Sequence, residues 1–369
     1  MDKEKLLKTI STLEIEKQKL DDKAFNIYFF VLDTKGNPSA TVRYLYQTAY
    51  TLKELGYKVC MLHQEKEFVG VEGWLGEKYA SLPHKNVQSE NVEISASDFL
   101  FIPEIYANVM SQTKNLPCKR VAILTNLNYL TEIIPVGVTW ADMGIDDVIT
   151  TSDVNEKMIK EYFPFVHPRV VAPYVPNVFR TPVKPQDLII NFVSREPSDI
   201  NKVIKPFFWK YPVYKWVSFR DLRGLPQETF ADALREGAIT IWIDDDTNFG
   251  MSLLEAVKCG TLVLAKMPKY ASDWMIDEKN QLTESVIWFE DLRKLPDMIA
   301  SVVRTWLIDE IPDDIEKAGR ELDGLFTQDQ HIADVKEAYV EGLFAERSKE
   351  INEALAQFKS QLNNEEKAE

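Results

Sequence analysis

Cysteine is scarce in this 369-residue chain: Cys60, Cys118 and Cys259 are the three. They are odd in number, far apart, and each lies in or beside an apolar segment. That pattern excludes a disulfide framework and reads as buried, reduced thiols in a reducing compartment. The four histidines, His63, His84, His167 and His331, are scattered. No Cys/His cluster has metal-ligand spacing, so these residues suggest no metal site, and no bound cofactor is expected. No segment reaches the ~18 apolar residues that a membrane-spanning helix needs. Residues 1–23 are charged throughout and lack the apolar core of a signal peptide. Cytoplasmic residence is the simplest expectation. Internal repeats and low-complexity tracts are absent. Basic residues are in the minority, 43 Lys and Arg against 58 Asp and Glu, for a net charge of −15. That balance argues against a broad footprint on a nucleic-acid backbone and leaves room for a local basic cleft.

What is present is the composition of a globular protein, with 45% hydrophobic and 27% charged residues, in a length that suggests two domains. Residues 1–23 read as one helix, with Leu6, Ile10, Leu13 and Leu20 on a heptad seam that Lys17 interrupts. Two heptads are too few for a coiled coil, so the helix either docks on the body or self-associates. Residues 25–33 read as a buried strand, 34–39 as a turn-rich loop, 40–55 as a helix closed by Gly56, and 58–63 as the next strand. This opening is βαβ and belongs to the doubly wound class. Further strands are expected at 98–103, 120–125 and 147–152, with a helix at 154–162.

The proline-rich run from Pro173 to Pro185 has no helical or strand periodicity and reads as a linker. A second α/β unit follows, with strands expected at 188–193, 213–219, 238–243, 261–265 and 286–289. The division is an accessory helix (1–23), a first Rossmann-like domain (24–175), a linker (176–187), a second Rossmann-like domain (188–330), and a C-terminal helix with a polar tail (331–369). The fold class is α/β, with two Rossmann-like domains facing a cleft and helices at both termini. Ligands of such folds bind at strand C-ends, facing the cleft.

The most informative stretch runs from Asn248 to Ala265. The β-branched run 238–243 ends in Asp244-Asp245-Asp246. Asn248 and Gly250 sit where a turn hands over to a helix, Phe249 between them. Met251 to Lys258 is helix-competent, Gly260 fits a helix C-terminus, and 261–265 is another buried strand. A helix start aimed out of a parallel sheet favours phosphate through its N–H groups and dipole. Glu255, one turn in, is well placed for the paired hydroxyls of a ribose. This chemistry is that of nucleoside-diphosphate binding.

The stretch resembles the signature of retaining glycosyltransferases of the GT-B fold, the family-4-like group: E-G-F-G-x-x-x-L-E-A-x-A-x-G-x-P-V-[VI]-A. Phe249, Gly250, Leu254, Glu255, Ala256, Gly260 and Ala265 keep its register. The first glutamate of that signature falls on Thr247, with Asp246 beside it, and a small residue becomes Lys258. Looser likeness extends over roughly residues 25–340. The run 147–152 with its helix is similar to D-x-[VI]-x-x-x-S, 169–176 to V-x-V-I-P-N-G-V, and 326–331 to a late helix start.

The resemblance implies transfer of a sugar from a nucleoside-diphosphate donor to an acceptor hydroxyl, without a metal and with retention of anomeric configuration. Glu255 would hold the donor ribose, Arg195 and Lys202 the diphosphate, and the Asn248–Gly250 turn and Met251 would offer backbone N–H groups. In the family's Gly-Gly loop position this chain has one glycine, Gly36, with Asn37 able to tolerate a left-handed conformation and Arg43 one turn into the following helix. Asn126 replaces a cleft histidine; it can hydrogen-bond a sugar hydroxyl but cannot act as a base. Thr247 stands in the catalytic glutamate's place without its charge, with Asp244, Asp245 and Asp246 as a shifted alternative. Trp216, Phe219 and Arg223 are candidates to flank a nucleobase. The departures leave open a catalytically weakened relative serving as a binding or assembly module. A short chain without membrane-attachment features leaves open a glycosyltransferase acting on a modified DNA base, which the acidity disfavours. The sugar, the base and the acceptor are not readable.

Overall fold

The computed structural model describes all residues except 1–2, 183–185, 245, 277–281, 310–316, 318–319, 323 and 369, and the side chains of 309 and 365–368. Its first lobe holds a seven-stranded sheet in the order β3-β2-β1-β4-β5-β6-β7. The strands are β1 (Asn26–Phe30), β2 (Lys58–His63), β3 (His84–Asn86), β4 (Phe99–Pro103), β5 (Lys119–Leu124), β6 (Asp147–Thr150) and β7 (His167–Val170). The second lobe holds a five-stranded sheet, β12-β11-β10-β8-β9. Its strands are β8 (Asp187–Ser194), β9 (Ser218–Asp221), β10 (Gly237–Ile243), β11 (Leu262–Lys266) and β12 (Ile287–Phe289). Every pairing in both sheets is parallel.

Parallel pairing explains the sequence pattern. Strands covered by helices on both faces bury both side-chain rows, so β4 and β10 are buried at every position and read as apolar runs. The strand order reverses between β1 and β4 in one sheet and between β8 and β10 in the other, which opens a crevice at the strand C-ends of each lobe.

Several boundaries differ from the sequence expectation. β3 was not anticipated; it is a short edge strand with the polar sequence His-Lys-Asn, whereas the segment likened to V-x-V-I-P-N-G-V at 169–176 begins in the other edge strand, β7. The expected strand 213–219 begins only at Ser218, because Pro212 starts a 3-10 turn, Pro212–Tyr214. The C-terminal residues expected as a tail are helical through Ala368. Part of the expected linker, residues 183–185, lies outside the described residues, as does Asp245.

The chain ends on the lobe where it began. The helix Gln328–Val335 passes through a π-helical segment, Lys336–Phe344, into the helix Ala345–Ala368. Val335, Tyr339, Phe344 and Ile351 enter the same core as Phe25, Phe29 and Tyr57 of the first lobe. Phe344 packs against Phe25, Tyr57 and Phe99 at centroid distances of 5.1, 5.1 and 4.6 Å. His331 anchors the crossing with a ring nitrogen 2.7 Å from the Ala172 carbonyl.

The N-terminal helix, Lys3–Asp21, packs along this C-terminal helix, with Glu14 and Lys359 paired at 2.6 Å. Leu6, Ile10 and Leu20 of its expected seam are buried, so the seam is occupied by the chain's own body. Glu16 fixes it further, accepting from the Ser97 backbone and hydroxyl at 2.8 and 2.6 Å.

Candidate active site

A cavity of about 420 Å³ lies where the two crevices face each other, and both lobes line it. The second lobe contributes the turn after β10. Thr247 lines the cavity. Asn248 is buried, and its Oδ1 accepts from the Leu127 backbone N–H of the first lobe. Gly250 has φ +67°, the left-handed conformation that glycine adopts without the steric cost of a Cβ. A Cβ there would also fall 2.3 Å from Met275 Cε. That kink aims the start of the helix Met251–Lys258 at the cavity, which Met251 and Ser252 line. Trp274 Nε1 holds the Phe249 carbonyl at 2.7 Å, and Trp242 Nε1 donates to Ser252 Oγ at 3.0 Å.

Glu255 follows one turn later and is almost fully buried, 2.6 Å from Arg43 Nη1. Arg43 comes from the helix Ala40–Glu54 of the first lobe. Burial pushes the Glu255 carboxyl above its ordinary range, while the Arg43 charge opposes the rise. Arg195, just past β8, pairs with Asp244 at 2.8 Å and donates to the Tyr129 hydroxyl of the first lobe at 3.0 Å. Among the described residues, Arg43 and Arg195 are the cationic residues lining the cavity, one from each lobe.

The first lobe supplies a polar ledge. Asn126 caps the helix Leu127–Ile133 through its Oδ1, and its Nδ2 donates to the Asp246 carbonyl at 2.8 Å. Asn128 donates to the same carbonyl at 2.5 Å. The lobes are therefore bound together at the turn that carries Thr247. Behind the ledge sits Glu104, fully buried after β4. Its Oε1 accepts from Thr125 N at 3.1 Å, Thr125 Oγ1 at 2.8 Å and Asn126 N at 2.9 Å. Thr125 Oγ1 also meets Thr41 Oγ1 at 2.7 Å, and both threonines line the cavity. Burial pushes the Glu104 carboxyl up to about 7 despite these hydrogen bonds. Its Oε2 has no hydrogen-bond partner among the described residues.

Of the residues expected from sequence, Arg43, Asn126, Arg195, Thr247, Phe249, Met251 and Glu255 line the cavity together. Asn248 and Gly250 lie just behind, shaping the turn. Lys202 does not join Arg195: it sits on the helix Asp199–Lys210, outside the cavity lining, paired with Asp199 at 2.9 Å. Gly36, at φ +81°, and Asn37 form a turn short of the cavity, and Pro38 to Thr41 reach it instead. The left-handed residue beside Gly36 is Lys35, φ +53°, rather than Asn37. Trp216, Phe219 and Arg223 are also outside, Arg223 paired with Asp221; Gly224 and Leu225 line the wall in their place. Glu104, Thr41 and Tyr129 escaped the sequence reading. A carboxylate directly after an all-apolar strand marked Glu104; the other two carry no local signal. Among the described residues no group of three or more His, Cys, Asp or Glu could hold a metal ion.

No family model matches the chain. Over 221 residues, 58% of the chain, it is 24% identical to an alpha-1,6-glucosyltransferase of Actinobacillus pleuropneumoniae, and the match spans 64% of that relative's length. It superposes on sucrose-phosphate synthase of Thermosynechococcus elongatus with a TM-score of 0.61 at 13% identity, covering 87% of this chain and 99% of that one. On Anabaena HepE in complex with UDP-glucose the TM-score is 0.61 at 11% identity, covering 86% and 99%. On the pneumococcal O-GlcNAc transferase GtfA in complex with UDP and GlcNAc it is 0.60 at 10% identity, again covering 86% and 99%. At such identities the likeness is one of fold, and the fold is the two-lobed GT-B architecture.

Proposed function

We propose that this GT-B chain is a glycosyltransferase that moves a sugar from a nucleoside-diphosphate donor, in the first instance a UDP-sugar, to an acceptor hydroxyl. The observation that carries the reading is the left-handed turn at Gly250, which points a helix N-terminus into the cavity one turn ahead of Glu255. The resemblance to glycosyltransferases and the UDP and UDP-glucose bound in two of the superposed proteins favour the same reading. In the transfer, the acceptor oxygen bonds to the anomeric carbon as the bond from that carbon to the diphosphate oxygen breaks. Negative charge grows on the leaving diphosphate, which takes up the acceptor proton.

Arg195 and the N–H groups at Met251 and Ser252 are positioned to stabilise that charge, which makes the proposed chemistry independent of a metal. Glu255 takes the ribose hydroxyls once Arg43 shares it. Thr247 and Asn126 face the sugar with hydrogen bonds and no charge, and neither supplies a base. Retention of configuration is proposed from the likeness to the retaining group. A modified DNA base is the less suitable acceptor, because the net charge is −15 and, among the described residues, only Arg43 and Arg195 bring positive charge to the cavity lining.

The test is a thermal-shift and hydrolysis screen against UDP-, GDP-, ADP-, CDP- and dTDP-sugars. Stabilisation by one nucleotide, with slow release of free nucleoside diphosphate, is expected. No stabilisation by any of them would overturn the reading. One observation favours a second: Arg43 is ion-paired with Glu255 and Arg195 with Asp244 within the protein, and Thr247 is uncharged. A module that binds nucleotide without turning it over fits those facts, and it predicts stabilisation with no release even when acceptors are added.

A further inference from the structure

Trp216 lies away from the cavity, in a segment with a composition of its own. From Asn201 to Arg220 there are five cations, Lys202, Lys205, Lys210, Lys215 and Arg220, and no Asp or Glu, in a chain of net charge −15. Three of the five are paired: Lys202 with Asp199 at 2.9 Å, Lys210 with Asp297 at 2.6 Å and Arg220 with Glu236 at 2.9 Å. Lys205 and Lys215 enter no ion pair among the described residues. The turn Leu292–Lys294 packs against the same helix and brings an exposed Lys294 alongside.

Large apolar side chains stand out between these ammonium groups. Trp209 is 76% exposed, Val213 71% and Trp216 55%. Lys202, Lys205 and Trp209 share one face of the helix Asp199–Lys210 by their spacing. The Trp216 ring is held from behind: its centroid is 6.4 Å from Tyr214, which stacks on the buried Phe207 at 5.9 Å. Two tryptophans kept in water on a built platform mark an interaction surface.

The chemistry of the face selects its partner. Protein interfaces are depleted in lysine, and here lysines alternate with the apolar side chains. Trp and Tyr interleaved with Lys suit a lipid headgroup layer, with rings at the apolar boundary and ammonium groups on the phosphates. We propose that this face docks the protein peripherally on an anionic phospholipid bilayer. No helix among the described residues is long and apolar enough to cross one. The helix Asp199–Lys210 leaves the C-end of β8 and runs back toward the start of β9. Its C-terminal end therefore lies at the end of the sheet away from the cleft, and docking there leaves the cavity open.

The experiment is co-sedimentation of the full chain with phosphatidylcholine vesicles, with and without phosphatidylglycerol, at low and high salt. Binding is expected only with phosphatidylglycerol and is expected to weaken with salt. The double variant Lys205→Glu/Lys215→Glu should lose at least about tenfold in partitioning, and Trp209→Ala/Trp216→Ala should also weaken it. All four side chains are exposed, so thermal midpoints should match that of the unmodified protein. Failure of the unmodified protein to sediment with anionic vesicles would overturn the proposal. Equal binding by the protein and both variants would do the same. Self-association that vanishes in Trp209→Ala/Trp216→Ala, without vesicle binding, would assign the face to a second copy and also overturn it.

Discussion

Arg43 of the first lobe and Glu255 of the second meet at 2.6 Å across the cleft, both nearly excluded from water. The contact is a tie between lobes and an obstacle to a ribose that seeks the same carboxylate. Removing one partner of such a pair leaves a buried charge and costs about 3–5 kcal/mol. Arg43→Ala is therefore expected to destabilise the protein strongly at pH 7. The loss should shrink as pH falls, because the stranded Glu255 then takes a proton whose binding burial already favours. Urea unfolding at pH 7 and pH 5 would show it. Equal losses at both values would mean that the pair contributes no charge-dependent stability.

Glu104 should leave its own pH signature. The folded protein keeps this proton up to about pH 7, against 4.5 for an ordinary glutamate. The stability it contributes is fully present below the unfolded value and is lost as pH rises through the folded one. The loss amounts to roughly 3 kcal/mol. Glu104→Gln mimics the protonated form and should remove that slope. Glu104→Ala should be worse at every pH, since it leaves the backbone N–H groups of Thr125 and Asn126 unpaired. Parallel stability curves for the unmodified protein and Glu104→Gln between pH 4.5 and 7 would contradict the assignment.

Arg195 offers a test of where the diphosphate sits. If its guanidinium meets the phosphates, Arg195→Ala should weaken UDP by about tenfold or more, while uridine, which lacks phosphates, binds as before. Calorimetric titration with both ligands separates the outcomes. Equal weakening of UDP and uridine would move Arg195 from phosphate contact to support of the loop through Asp244 and Tyr129.

Phe344 reports on the return of the chain to its first lobe. It packs on three aromatic rings of that lobe. Phe344→Ala is expected to cost about 3–5 kcal/mol, although the residue is far along the chain from every strand it touches. A loss under about 1 kcal/mol would show that the C-terminal helices are a detachable appendage.

The two α/β units were legible because parallel strands covered on both faces write themselves as apolar runs, as at β4 and β10. Edge strands have no such requirement, and β3, spelled His-Lys-Asn, could not be read. Pro212 was a visible stop, yet the aromatic residues around it suggested a strand; their rings pack around Phe207 in a turn. Part of the cavity's second-lobe wall followed from one short signature, since Thr247, Phe249, Met251 and Glu255 lie within a single turn and helix. Lys202 was misplaced because position after a strand does not say which way a helix will carry a side chain.

The sequence by itself determined what short-range chemistry dictates: two doubly wound units, a glycine-kinked helix start, and a carboxylate one turn beyond it. The tertiary structure alone decided what faces what. It set Arg43 on Glu255, Tyr129 on Arg195 and Asn126 on the Asp246 carbonyl, contacts between residues 66 to 212 positions apart. It also turned Trp209 and Trp216 outward. Such pairings depend on how two separately folded sheets pack together, and packing between distant segments leaves no periodicity in the chain that a local reading can find.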